Sequence, residues 1–353
     1  MKRVCVLMDG MSGIAYHRLY VPHYKMALET KLDVVINQRM EEWHQINYHS
    51  IDLVVFNRWL GPKQEDILSG LAKMSIPYIV DVDDYWRLHG GHIGKKEYQK
   101  IISKGIKQAL QYADGITTTT PILESSIRAI NQAAPIIQLH NCLDLEEDQW
   151  KHKRTQSDKV RIGWVGGVSH LTDVALISGV FTALQKKYDI EVYVCGYNSA
   201  NPSVAKEWSM IIDYFADKGR PSWLKILEGV NANEYGTLYR HFDIAIAPLQ
   251  NTKFNHHKSP LKIAEAGAYR LPIVVSAVDP YGLHWDNDGM FMVRNSFEGW
   301  YNRLEELIVK PKIREQVGEL NKAYCENVFN LDVENERRLK FYEKCISNIQ
   351  DHH

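Results

Sequence analysis

The stretch HKSPLKIAEAGAYRLPIVVS, residues 257–276, reads as a short helix running into a buried strand. Ser259 is a good N-cap, and Pro260 has the fixed backbone angle that suits the first helical position. Leu261, Ala264 and Ala268 recur at helical spacing, and Pro272 then precedes the β-rich run IVVSAV. The odd feature is charge. Lys258 and Lys262 sit at the helix N-terminus, where the macrodipole disfavours cations. Two lysines make sense there if a dianion such as a diphosphate lies over the helix start. Glu265, one turn after Lys262, could then accept from a ribose. The alternative is a surface helix whose lysines face solvent, with Glu265 paired to Lys262 at i,i+3.

Working outward, short β-rich runs alternate with helical segments along the whole chain. The first half offers VCVLM, DVVIN, DLVVFN, PYIVDV, GITTTT and PIIQLHN; the second offers RIGWVG, IEVYVCG, LKILEG, DIAIAPL, PIVVSAV and MFMVRN. Amphipathic stretches such as 62–74 and 97–113 lie between them. Alternation of this kind implies parallel sheets with helices on both faces. The polar, aperiodic segment LDLEEDQWKHKRTQSDK, residues 143–159, reads as a linker. The expected architecture is α/β, with two Rossmann-like doubly wound domains facing a cleft, at 1–150 and 151–330. The tail from 331 to 353 reads as a final helix, with Leu339, Tyr342 and Ile346 at helical spacing, which could pack back on the first domain.

Composition narrows the function classes. The 353 residues suit two domains, and 45% hydrophobic with 24% charged residues is the make-up of a soluble globular chain. The formal net charge of -1 supplies no global basic field for nucleic acid, although a local patch is compatible with it. Five cysteines without a CxxC pair argue against a disulfide framework or a zinc cluster, and for a reducing cytoplasm. The apolar run in MKRVCVLMDG is too short for a membrane span, and no transmembrane segment is expected.

Each half opens with a strand leading into a glycine turn. The first carries Gly10, Ser12 and Gly13; the second, RIGWVGGVSH, carries Gly166, Gly167 and His170. Glycine lets backbone N–H groups approach a phosphate or sugar, and the following helix adds its positive end. Neither turn matches GxGxxG with an acidic residue at the right distance, which disfavours a nicotinamide-binding domain. In PYIVDVDDYW, Asp83 and Asp84 lie just beyond a strand end; His17 and Arg18 follow the first glycine turn, and Arg58 follows the strand VVFN.

The 257–276 segment resembles the donor-binding motif of GT-B glycosyltransferases, above all the large retaining group often called family four, which includes bacterial and phage-encoded members. In that motif two acidic residues flank seven others, ahead of a small-residue helix and a Pro-Val-Val strand. The second acidic position falls on Glu265, the usual ribose ligand; the first falls on His257. DIAIAPL and QNTKFNHH before it extend the resemblance, which covers most of the second half. Members commonly have glycine two positions before the proline, where this chain has Arg270; a φ above zero there would carry a steric cost. Arg and Lys that neutralise the leaving diphosphate in many members are replaced by Gly167, Ser169 and His170, a role that Lys258 and Lys262 could take over.

The resemblance implies transfer of a sugar from a nucleotide-diphosphate donor to an acceptor hydroxyl, with retention. The implied catalytic residues are Asp83, Asp84 and His257. Donor binding falls to Gly166, Gly167, His170, Lys258, Ser259, Lys262 and Glu265. Gly10, Ser12, Gly13, His17, Arg18 and Arg58 would line the acceptor side of the cleft. Paired aspartates bind divalent cations in other glycosyltransferases, but this fold usually needs no essential metal, so neither metal nor cofactor is expected. The acceptor would be a bacterial glycan or a modified DNA base; a basic surface including Lys95, Lys96 and Arg58 would favour DNA. The alternatives are a sugar-nucleotide epimerase or phosphorylase of the same fold, and a non-catalytic sugar-nucleotide binding protein.

Overall fold

The computed structural model describes residues 1–88 and 95–350. The chain divides into two compact units: Met1–Asp144 with His257–Ser259 and Asn330–His353, and Leu145–His256 with Pro260–Phe329. The first contains β1 (Arg3–Leu7), β2 (Asp33–Asn37), β3 (Leu53–Asn57), β4 (Tyr78–Val82), β5 (Gly115–Thr118) and β6 (Ile136–Gln138). The second contains β7 (Val160–Val165), β8 (Ile190–Tyr197), β9 (Leu224–Glu228), β10 (Ile244–Ala247), β11 (Ile273–Ser276) and β12 (Met290–Val293). Each apolar run read from the sequence contributes one of these strands.

All pairings are parallel. The first sheet has the order β2-β1-β3-β4-β5-β6 and the second β12-β11-β10-β7-β8-β9. Counted within its own unit, the second sheet runs 3-2-1-4-5-6 in reverse, the Rossmann order. Strand order reverses direction between β1 and β3 in one sheet and between β7 and β10 in the other. Crevices outside the carboxyl ends of the strands at these two points are where such sheets bind ligands. The expectation of two doubly wound α/β domains holds.

Each unit has its own core. In the first, Val4, Val6, Leu53, Val55 and Ile79 pack with Tyr342, Cys345 and Ile346 of the terminal helix Leu331–Gln350. In the second, Ile162, Val192, Val194 and Ile244 pack with Phe181, Phe215, Trp208 and Trp300. All five cysteines are buried and free, and burial pushes the Cys5, Cys142 and Cys345 thiols up to about 12, which removes them as nucleophiles at neutral pH. Among the described residues no helix is long and apolar enough to cross a membrane. The stretch read as a linker is not irregular throughout: Asp148–Lys151 is a short helix that buries Trp150.

Two backbone features bear on the site. The helix Leu261–Ala268 is capped at its start by Pro260 without a side-chain hydrogen bond. Ser259 is therefore not its N-cap, and its Oγ instead accepts from Asn141 Nδ2 at 2.7 Å. At its other end the chain reverses through Arg270 with φ +54°, while Leu271 N–H returns to Ala266 C=O at 3.0 Å. This is the left-handed closing turn usually reserved for glycine. A Cβ on Gly318 would lie 2.1 Å from the Arg270 carbonyl oxygen, so the helix Pro311–Val328 presses its backbone onto this turn.

The first unit contains a buried ion pair. Asp81, inside β4, and Arg18, in the π-helical turn Tyr16–Tyr20, are 2% exposed each. Arg18 Nε donates to both Asp81 carboxylate oxygens at 3.1 Å, and its terminal nitrogen donates to Asp81 Oδ1. Thr117 Oγ1 (2.6 Å) and Asn57 Nδ2 (3.0 Å) complete the carboxylate's shell. Arg18 also donates to Leu139 C=O at 2.5 Å and to Asn141 Oδ1 at 3.1 Å. Burial opposes the charge on Asp81, yet Arg18, Thr117 and Asn57 hold its carboxyl below the usual range.

Asp81→Asn should destabilise the protein by about 3–5 kcal/mol, because it strands the Arg18 guanidinium in the interior. Since the folded pKa is depressed, the pair's contribution is complete above the ordinary aspartate value of about 3.9 and is lost as pH falls through the folded value. Denaturant midpoints of wild type and variant should therefore converge as pH is lowered; a constant gap would show that the carboxylate does not carry the effect. Arg270→Gly should raise stability by about 1 kcal/mol through relief of the left-handed strain. Its surface pair with Glu319, with both side chains more than half exposed, offsets little of this. A fall in the midpoint of Arg270→Gly would contradict the strain.

Candidate functional site

In the second unit the crevice between β7 and β10 begins with Gly166 and Gly167. A Cβ on Gly166 would lie 2.4 Å from the Trp164 ring, whereas one on Gly167 would meet nothing within 4 Å. Gly196 at the end of β8 has φ +102°, and a Cβ there would lie 2.2 Å from Gly166 C=O. Gly166 is thus fixed by packing, and Gly167 leaves the backbone open to a ligand. His170 follows in the short 3-10 turn Val168–His170. Its Nδ1 and Asp173 Oδ2 are 2.9 Å apart.

Asp173 ties this turn to the loop after β10. Its Oδ1 accepts from Gln250 N–H at 2.8 Å and from Asn255 Nδ2 at 2.9 Å. Ser276, at the end of β11, accepts from Leu249 N–H at 2.7 Å and donates to Asn295 Oδ1 at 2.7 Å. The crevice is therefore pre-organised by hydrogen bonds from three strand ends, and Asp173 orients the His170 ring through Nδ1.

Lys262 and Glu265 lie on the first turns of the helix Leu261–Ala268, and they do pair. Lys262 Nζ is 2.9 Å from Glu265 Oε2. The pair is not on a solvated face: the Glu265 side chain is 2% exposed and that of Lys262 24%. Tyr239 O–H donates to Glu265 Oε2 at 2.5 Å, and Lys262 Nζ donates to Tyr235 Oη at 2.5 Å while sitting 4.9 Å from the centre of that ring. Burial works against the Lys262 ammonium, but Glu265 and Tyr235 outweigh it and hold its pKa above the ordinary lysine value. Burial, with Glu265 next, drives the Tyr239 phenol well up. Both donors to Glu265 land on Oε2.

In the first unit Gly10 has φ +67°, and Ser12 caps the turn Gly13–Ala15, its Oγ accepting from Ala15 N–H at 3.3 Å. His17 is buried edge-on to Tyr16 at 5.3 Å. Arg18, expected on the acceptor side of a cleft, is buried with its guanidinium directed to Asp81, to Asn141 Oδ1 and to backbone carbonyls of its own unit. Asp83 is buried, 3.4 Å from Arg58 Nε and 3.2 Å from Asn57 Nδ2. Burial raises the Asp83 carboxyl pKa, with Asp84 and Asp81 adding to it and Arg58 opposing. Arg58 itself adopts φ +59° and donates its N–H to Asp81 C=O at 2.9 Å. Of the lysines considered for a basic surface, Lys95 opens the helix Lys95–Lys100, and the Lys96 side chain lies outside the described residues.

His257, which belongs to the first unit, is 3% exposed. Its Nε2 is 2.7 Å from Ser126 Oγ, and its ring stacks on Tyr85 with centroids 4.2 Å apart. Lys258, next to it, is partly buried. Among the described residues no group of three His, Cys, Asp or Glu side chains is arranged to hold a metal ion.

Several residues that build these sites were missed in the sequence. Asp81 had a signal, since a charge inside the five-residue buried strand YIVDV demands a partner. Asp173 stands at i+3 from His170, a spacing that lets two side chains meet on one face. Tyr235, Tyr239 and Asn255 had none, because they reach the site only through tertiary packing.

No protein-family model matches the sequence, and no curated protein matches it either. Solved structures match the fold. Sucrose-phosphate synthase from Thermosynechococcus elongatus superposes with a TM-score of 0.71 at 12% identity, covering 99% of this chain and 100% of that one. HepE from Anabaena, solved in complex with UDP-glucose, gives 0.68 at 12% identity over 99% and 100% of the two chains. An alpha-glucosyltransferase solved in complex with UDP gives 0.65 at 11% identity over 97% and 100%. At these identities the likeness is one of fold, and the fold is GT-B: two Rossmann-like domains, each on a six-stranded parallel sheet.

Proposed function

We propose that this chain is a glycosyltransferase that moves a sugar from a nucleotide-diphosphate donor to an acceptor hydroxyl. The observation that carries the reading is Glu265. A buried carboxylate is held through Oε2 by Lys262 and Tyr239, which leaves Oε1 to accept from ribose hydroxyls. We assign the backbone at Gly167, the His170 ring oriented by Asp173, Lys258 and Ser259 to the donor diphosphate. Fold likeness to proteins solved with UDP and UDP-glucose supports the donor class.

For the chemistry, we assign Asp83, Asp84 and His257 to the reacting sugar and acceptor. The raised pKa of Asp83 suits a group that exchanges hydrogen bonds with a hydroxyl, and Ser126 and Tyr85 fix the His257 ring. The reaction proceeds with retention by front-face displacement, the departing diphosphate helping to deprotonate the acceptor. Gly10, Ser12, Gly13, His17 and Arg58 serve the acceptor side, with a bacterial glycan or a modified DNA base as acceptor.

Glu265→Gln should weaken UDP binding by about 1–3 kcal/mol, the range for hydrogen bonds to charged groups. The 2′,3′-dideoxy nucleotide already lacks those bonds, so its affinity should barely change. Calorimetry on both ligands gives the double difference; equal losses would remove the ribose role and with it the donor-site assignment. Mass spectrometry of a nucleotide-sugar panel with glycan lipids and hydroxymethylated DNA identifies product and acceptor. An epimerised nucleotide sugar formed without acceptor would instead indicate an epimerase, and binding without any turnover a non-catalytic protein.

Activity should survive EDTA, because in this reading the diphosphate charge is met by lysine, histidine and backbone N–H groups rather than by a metal ion. Complete loss on chelation, restored by magnesium or manganese, would reassign Asp83 and Asp84 as metal ligands.

A further inference from the structure

Arg270 occupies a left-handed position that glycine would fill without strain. Its side chain is not idle there. It lines a cavity of about 560 Å³ at the far end of the helix Leu261–Ala268 from Lys262 and Glu265. The other walls come from the segment read as a linker and from the helix Pro311–Val328. Trp150 and Tyr269 form an aromatic floor, their rings edge to face at 6.2 Å.

The lining carries more cations than carboxylates. Lys151, Lys153, Arg154, Arg270 and Lys322 converge on it, with His152 among them, against the carboxylates of Glu319 and Glu326. Three of the pairs among these residues are exposed: Arg270–Glu319 at 3.3 Å, Lys322–Glu326 at 3.1 Å and Lys151–Glu146 at 2.9 Å. Arg154 lies 3.6 Å from Asp243, whose carboxylate is already held by the buried Arg161. The exposed pairs hold their partners weakly, so a ligand of higher charge displaces those carboxylates readily. A helix C-terminus attracts cations on its own account, but the run Lys151–Arg154 comes from a separate segment and exceeds what one helix end neutralises.

We propose that this cavity is a second binding site, distinct from the nucleotide site, for a ligand carrying closely spaced phosphate groups. Guanidinium groups match phosphate oxygens in pairs, and lysines add mobile point charges around them. The aromatic floor supplies an apolar base on which the body of such a ligand rests. The strain at Arg270 is the local cost of placing a guanidinium where the fold favours glycine.

The test uses the full chain with two probes, inorganic tripolyphosphate and a fluorescent eight-nucleotide oligo-dT. Tripolyphosphate should bind wild type saturably, and binding should weaken several-fold between about 50 and 200 mM salt. Lys153→Ala/Arg154→Ala should lose at least about tenfold in tripolyphosphate affinity while UDP affinity stays unchanged. Arg270→Gly should lose affinity as well while its denaturation midpoint rises, a split that a purely structural arginine would not produce. Displacement of oligo-dT by tripolyphosphate identifies a phosphodiester chain as the source of the phosphates. Tripolyphosphate binding without oligo-dT binding identifies a free polyphosphate. Absence of saturable tripolyphosphate binding to wild type, or equal affinity in the two substituted proteins, overturns the proposal. UDP affinity is read independently, so failure here leaves the donor-site reading to its own test.

Discussion

A carboxylate taken out of water must find its donors inside the protein, and each unit of this chain is organised around one that does. In the first, Asp81 gathers Arg18 from the turn after β1, Asn57 from the end of β3 and Thr117 from β5. One buried charge thereby fixes the carboxyl ends of neighbouring strands relative to each other. In the second, Glu265 gathers Lys262 from its own helix and Tyr239 from the short turn before β10. Desolvation makes each arrangement close to all-or-none, because a lost donor leaves a costly bare charge. That is the physical source of pre-organised geometry at the ends of the strands.

The two carboxylates differ in what they leave available. Asp81 accepts on both oxygens and is enclosed by its own unit, so it acts as structure. Glu265 is saturated on one side only, so it retains an acceptor. Asp83 stands between these cases. Burial and its acidic neighbours push its proton affinity up, and Arg58 limits the rise. The same residue type two positions apart thus differs in how firmly its charge is held: Arg18 grips Asp81 in bidentate contact, whereas Arg58 approaches Asp83 with one nitrogen at 3.4 Å.

Strain is placed unevenly. Gly166, Gly196 and Gly318 stand where a Cβ would meet a ring or a carbonyl oxygen, and there glycine is required by space. Arg58 and Arg270 stand where backbone conformation favours glycine and a long cationic side chain is present instead. Both arginines reach polar surroundings containing carboxylates: Arg58 beside Asp83, Arg270 beside Glu319 in the cationic cavity.

The architecture was legible in the sequence because twelve short apolar runs alternating with amphipathic segments admit few solutions other than parallel sheets covered by helices. The glycine turns and the Lys262–Glu265 spacing were legible for the same reason, since they depend on neighbours along one turn or one helix. Burial of that pair was not, because it comes from Tyr235 and Tyr239, more than twenty residues away. Sequence also put Arg18 at a ligand and Ser259 at a helix cap. Tertiary structure gave Arg18 to Asp81, 63 positions on, and Ser259 to Asn141, 118 positions away. Local pattern determines which strands and helices alternate along the chain. Which polar side chains remain for a ligand is decided by desolvation, and desolvation depends on what the folded chain brings alongside.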